Sequence, residues 1–175
     1  MKRLTLIGGL VLLSYPAAAE TLSEKTGINS TLGIAPTTAD FVLEAAISDM
    51  FEIQSSQLAM DKLRGEEEDF AKAMIKDHTQ TSSELKALAA EVHMEIPATL
   101  DSSHQNMLEK LKKLGGDDFR KQYFSDQVSG HKDAVSLFHR YGSGGENSKI
   151  RGWASSTLPA LQHHLEMARD DYNNT

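Results

Sequence analysis

Between residues 70 and 92 one stripe recurs every three or four positions, Phe70, Met74, His78, Thr81, Leu85, Leu88 and Val92, apolar at both ends. Residues at that spacing share one stripe of an α-helix, and it is the stripe such a helix buries. His78 and Thr81 stand in the middle of it, with Asp77 alongside. A titratable ring on an oily helix face needs a partner, because an unpaired buried polar group is costly. Three further segments repeat the pattern. One reads Val42, Ala45, Asp49, Glu52, Ser56, Ala59; another Phe124, Gln127, His131, Ala134, Phe138, Tyr141; the last Ile150, Trp153, Thr157, Leu161, His164, Ala168. Each places a polar group near its centre.

The boundaries follow from local chemistry. Thr37 or Thr38 can cap the first helix, with Asp40 in its first turn, and Arg64-Gly65 ends it near Leu63. Four acids at 66–69 open the second helix, where they complement its dipole, and it ends near His93, before Pro97. Asp101 caps a short third helix that carries Met107, Leu108, Leu111 and Leu114 and stops at Gly115-Gly116. A fourth starts at Asp117 or Asp118, and the Gly-Ser-Gly-Gly run at 142–145 reads as its end. A fifth extends from about Asn147 to Tyr172 with Pro159 inside it, which predicts a bend and not an end. No strand candidate of useful length appears. Four long amphipathic helices in two hairpins, joined by one longer crossover, predict an all-α, ferritin-like antiparallel four-helix bundle with a short extra helix in the crossover.

Residues 1–19 read as a secretory signal peptide: Lys2 and Arg3, a short apolar run, then Ala17-Ala18-Ala19 before Glu20. That run is shorter than the ~20 residues a membrane span requires, and no later run is longer, so the mature chain is expected to have no transmembrane segment. The address this implies is the periplasm or beyond, with association at the outer membrane left open. Residues 20–36, rich in Thr, Ser and Gly, read as a flexible lead or a strap; residues 37–175 form the domain. Losing Lys2 and Arg3 takes the formal charge from -7 to -9, which argues against nucleic acid as a partner. A protein partner or a homo-oligomer is compatible with it. With no cysteine in the chain, disulfides, thiolate ligands and cysteine nucleophiles are all removed.

The order and spacing of several strings resemble the DUF4142 family. They are Phe41-Val42 with Ala45-Ala46, Glu52 and Gln57-Leu58-Ala59; Met74 with Asp77-His78, Leu85, Leu88-Ala89, Ile96-Pro97 and Leu100; Phe119, Tyr123, Gln127 and His131; and Leu158-Pro159 with His164-Leu165. The resemblance spans about residues 38–172. It implies export and a ferritin-like helical fold, often described as that of an outer-membrane protein, and it brings no settled activity. Asp49 and Met50 replace a glycine that often precedes the first-helix glutamate.

A ferritin-like di-iron centre needs Glu-x-x-His on two of its helices. Here Ile75, Val128 and Leu161 stand three before His78, His131 and His164, so a ferroxidase is not indicated. One inward candidate per helix remains: Glu52, His78, His131 and His164, with Asp49, Asp77 and Gln127 as neighbours. Three imidazoles and a carboxylate suit one zinc, copper, iron or manganese ion. The levels are uneven. Glu52 and His78 are about equally far from their turn, but His131 lies eleven residues before Gly142 and His164 seventeen after Asn147. At 1.5 Å per residue that mismatch is about 9 Å. Against a metal stands a plain alternative: buried pairs, Glu52 with His78 and His131 with Asp77 or Gln127, that only fix helix register. His93, His104, His139 and His163 read as surface or loop residues, and the methionines as core filler. The two functions to weigh are therefore a metal-binding bundle and a non-catalytic envelope stress or interaction protein. There is no nucleophile motif and no phosphate-binding loop to suggest an enzyme.

Overall fold

The computed structural model of the protein describes residues 20–174, and all regular structure among them is helical. In order these are α1 (Leu22–Lys25), α2 (Ile28–Leu32), α3 (Thr38–Lys62), α4 (Glu66–Glu91), α5 (Ser102–Lys113), α6 (Gly116–Gly144) and α7 (Ser148–Asn173). The signal-peptide reading of residues 1–19 lies outside the described residues.

The caps are the expected ones. The Thr37 hydroxyl accepts from the Asp40 amide at 3.1 Å and donates to its carboxylate at 2.9 Å, closing the first turn of α3. Asp101 accepts from the His104 amide at 2.8 Å, and Asn147 accepts from the amides of Lys149 and Ile150, each at 3.1 Å. Gly65, at φ 67° and ψ -137°, turns the chain into α4, and the acids that follow pair with Lys72 and, through Glu67, with Arg120 on α6. Pro159 is accommodated within a continuous α7.

Contacts along the helices give their directions. On α3 and α6, Thr38 meets Tyr141 and Ser56 meets Tyr123, at 2.7 and 2.8 Å, so the two run antiparallel. On α4 and α7, Asp77 meets His164 and Glu84 accepts from Trp153, again antiparallel. The Lys62 ammonium donates to the carbonyls of Lys112 and Leu114, which brings the end of α5 back to the end of α3. The segment around α5 is thus the crossover, and α4 and α6 point the same way. Two apolar clusters fill the interior. One gathers Phe41, Leu85, Phe138, Tyr141, Ile150 and Leu161; the other gathers Phe51, Phe70, Met74, Phe119, Tyr123 and Phe124. Between them lies a layer of Asp49, Glu52, His78, Gln127, His131 and His164, all buried.

One local expectation is corrected. Residues 142–144 do not break the helix; α6 continues through them. Gly142 lies against Ser155 of α7, whose hydroxyl donates to its carbonyl at 3.2 Å, and a Cβ there would come within 2.8 Å of the Ser155 Oγ. Glycine serves a close helix-to-helix approach, and the reversal falls in residues 145–147. His131 is thirteen residues before the end of α6 at Gly144 and His164 sixteen after the start of α7 at Ser148, which halves the mismatch to about 4.5 Å. In residues 20–36, where no helical stripe is visible, two single-turn helices form. Arg140 of α6 holds them through Glu24, at 2.5 and 3.2 Å, and through the Ile34 carbonyl at 2.9 Å. Thr21 donates to Asp40 from its amide and its hydroxyl, at 2.7 and 2.8 Å.

Candidate metal centre

His78 on α4, His131 on α6 and His164 on α7 converge. Their ring centroids are 5.4 to 5.5 Å apart, and one donor atom from each lies within 4.8 Å of the other two. All three are at most 3 % exposed.

Each ring is held by one nitrogen and leaves the other unpartnered. His78 Nδ1 lies 2.7 Å from Asp49 Oδ1, His131 Nδ1 donates to the Gln127 carbonyl at 3.0 Å, and His164 Nε2 lies 3.1 Å from Asp77 Oδ2. The buried nitrogens without a partner are His78 Nε2, His131 Nε2 and His164 Nδ1. Asp49 is itself fixed: its other oxygen accepts from Thr81 at 2.9 Å and from Ser82 at 3.2 Å. An imidazole oriented through one nitrogen by a carboxylate or carbonyl is the usual supporting arrangement of a metal-ligating histidine.

Glu52 is 1 % exposed and stands beside this cluster without being one of its three converging donors. Its Oε1 is 3.8 Å from His131 Nδ1, and its Oε2 has no partner. Burial pushes its carboxyl up to about 7, opposed by His78 and the Gln127 amide. Burial, then repulsion from His78 and His164, brings His131 down to about 3, so this ring is neutral at ordinary pH. His164 is lowered by the same two causes, burial and His78. Burial also pulls on His78, but the hydrogen bond and charge of Asp49 outweigh it and hold its pKa above the ordinary value. Three unpartnered ring nitrogens beside the buried carboxyl of Glu52 make a polar pocket in the core.

The partners differ from those the sequence suggests. His78 takes Asp49 and not Glu52; Asp77 takes His164 and not His131; and Gln127 serves His131 through its backbone, while its side chain donates to Ser55 at 3.2 Å. Sequence reasoning misses Thr81 and Ser82 as supports of Asp49, although Thr81 lies in the stripe of His78. It misses Gly130 as well: a Cβ there would come within 2.9 Å of Glu52 Oε1. His93, His139 and His163 are exposed, and His104 pairs with Asp101 at 3.0 Å.

No helix among the described residues is long and apolar enough to cross a membrane. Comparison with curated proteins finds no match. A solved structure, "CopM in the Cu(II)-bound form", is similar in fold, with a TM-score of 0.68 at 16% sequence identity, over 81% of this chain and 99% of that one. A family model described as "Domain of unknown function (DUF4142)" matches residues 23–170. On that match, over most of its length, the chain belongs to the DUF4142 family.

Proposed function

We propose that the protein is an exported, ferritin-like four-helix bundle that binds one divalent transition-metal ion on His78, His131 and His164, with Glu52 as the adjacent fourth group. The observation that carries this reading is the matched set of three buried, unpartnered ring nitrogens on three helices, within 4.8 Å of one another. Metal–nitrogen bonds of about 2.0–2.1 Å require the donors to draw in to roughly 3.3 Å, a shift that side-chain rotation supplies. Asp49, Asp77 and the Gln127 carbonyl hold the rings for that purpose, and the ionised Glu52 offsets the charge of the ion. An imidazole set without sulfur suits copper(II) and zinc. Because the similar structure is a Cu(II)-bound form, copper is the first ion to try. Cleavage near Ala19 would deliver the domain of residues 37–175 to the periplasm or beyond.

Protein prepared without a histidine tag is expected to retain close to one equivalent of a transition metal by mass spectrometry, and His78→Ala to lose it. Sub-stoichiometric metal that is indifferent to His78→Ala would sink the proposal. The second reading is a structural polar layer in an envelope stress or interaction protein, and it is favoured by each ring already having one anchor. It requires melting that ignores chelators and added metals alike.

A further inference from the structure

A buried ion site needs a way in. A cavity of about 480 Å³ opens between α3 and α6 beneath the α1–α2 strap. Glu24, Glu44, Ser48, Gly130, Asp133 and Arg140 are among its lining residues. The Arg140 guanidinium is hydrogen-bonded by Glu24, and Lys25 and His104 also line the cavity, beside the acids Glu20, Glu44, Asp101 and Asp133. Burial, then the charges of Glu24 and Glu20, pushes Glu44 up to about 8.

Glu44, Ser48 and Glu52 are four apart, so they stand on one face of α3 at successive turns. The first two line the cavity, and Glu52 lies behind it, next to the histidines. Glu44 Oε1 and Glu52 Oε2 are both buried atoms without a partner, one on each side of Ser48. The opposite wall at that depth is Gly130. A Cβ there would press on Glu52 Oε1 at 2.9 Å, so the missing side chain makes room for the Glu52 carboxylate directly behind a wall residue of the cavity. A glycine in a helix interior is less favourable than alanine, and Gly130 does not have the positive φ that would demand it. Several other approaches are occupied by side chains. Above and below lie the apolar clusters. Toward α4 and α7 the His164 ring itself stands between Asp77, on its Nε2, and the cluster its Nδ1 faces. Toward α4 alone, Asp49 is closed off by Thr81 and Ser82.

We propose that a divalent cation reaches the histidine cluster through this cavity, passing Glu44, Ser48 and Glu52 in turn, with Gly130 as the opening. The inference rests on the metal-binding reading above. Cobalt(II), followed by its visible ligand-field bands in stopped flow, tests it on the purified protein. Ser48→Leu is expected to slow loading and release alike by about tenfold and to leave the equilibrium affinity unchanged, because it narrows the path and not the end point. Glu44→Gln, which adds no volume and decides the matter if Ser48→Leu does not fold, is expected to slow loading several-fold and to weaken its salt dependence above about pH 8, where the wild-type carboxyl is ionised. Wild-type rates in Ser48→Leu or Glu44→Gln, with the affinity intact, overturn the route while the metal site stands; so does faster release from Ser48→Leu. Failure of the wild-type protein to bind cobalt(II) or copper(II) at all removes both.

Discussion

The interior contains two kinds of buried polar contact, and they are solved differently. Ser56 with Tyr123 and Thr38 with Tyr141 are closed hydroxyl pairs set into the apolar clusters at the two ends. The middle layer is left open: His78 Nε2, His131 Nε2, His164 Nδ1, Glu52 Oε2 and Gln127 Oε1 have no partner. Outside it, the unpartnered buried side-chain atoms among the described residues are Glu44 Oε1 and Arg140 Nε, both beside the strap. Each such atom costs about 1–3 kcal/mol against a satisfied one. On the structural reading the layer would be expected to close its own hydrogen bonds, as the tyrosine pairs do. Three open nitrogens within 4.8 Å of one another are the feature on which the proposed metal site rests.

The sharpest way to break this contrast is to supply the ion. At a hundredfold excess over Kd, copper(II) or zinc is expected to stabilise the fold by about 2.7 kcal/mol, a rise in melting temperature of roughly 5–10 °C by calorimetry. His131→Leu and His164→Leu should abolish the rise. They are also expected to leave the metal-free protein no less stable, because an apolar side chain relieves an open polar atom. Loss of stability in both leucine variants, with no response to metal in the wild type, would move the layer into the same class as the tyrosine pairs.

The next effect separates support from ligation. Asp49→Asn keeps the shape but weakens the grip on His78, and it is expected to reduce metal affinity by about 10–100-fold in a competition titration. Ser56→Ala, which opens a closed pair, is expected to cost about 1 kcal/mol of stability and to leave the affinity unchanged. Equal effects of the two on affinity would erase the distinction between the regions.

How much of this is legible in the sequence depends on periodicity. The four stripes are readable because a helix repeats its buried face, and the same repetition puts Glu52, His78, His131 and His164 on inward faces. What periodicity lacks is the third dimension. It does not say that Asp77, on the flank of its own helix, turns to His164, or that Asp49 and not Glu52 takes His78, since a side chain three or four atoms long chooses among neighbours on other helices. The glycines mislead for a related reason. Gly142 reads as a breaker on propensity, but a residue without a Cβ also permits two helices to touch, and at Gly142 packing against Ser155 outweighs propensity. Gly130 is the same lesson beside Glu52. The short helices under Arg140 carry no stripe and are therefore invisible to periodicity; their hold on the domain is polar, through Glu24 and Asp40.

Glu44 provides the smallest test, and it asks to which class the strap region belongs. Its carboxyl is raised from 4.5 to about 8, first by burial and then by Glu24 and Glu20. A carboxyl whose folded pKa lies above its unfolded one binds its proton more tightly in the native state. Its contribution to stability is therefore complete below about pH 4.5 and is lost as the pH climbs toward 8. Glutamine cannot titrate, so Glu44→Gln should be insensitive over that window. The melting temperature of the wild type relative to Glu44→Gln is expected to fall by about 2–4 °C between pH 5 and pH 8.5, a small change because the side chain is partly in water. A relative melting temperature that stays level across the window would mean that Glu44 finds a cationic partner when ionised. The cavity wall would then be a satisfied network like the tyrosine pairs, and the open polar atoms would be confined to the histidine layer.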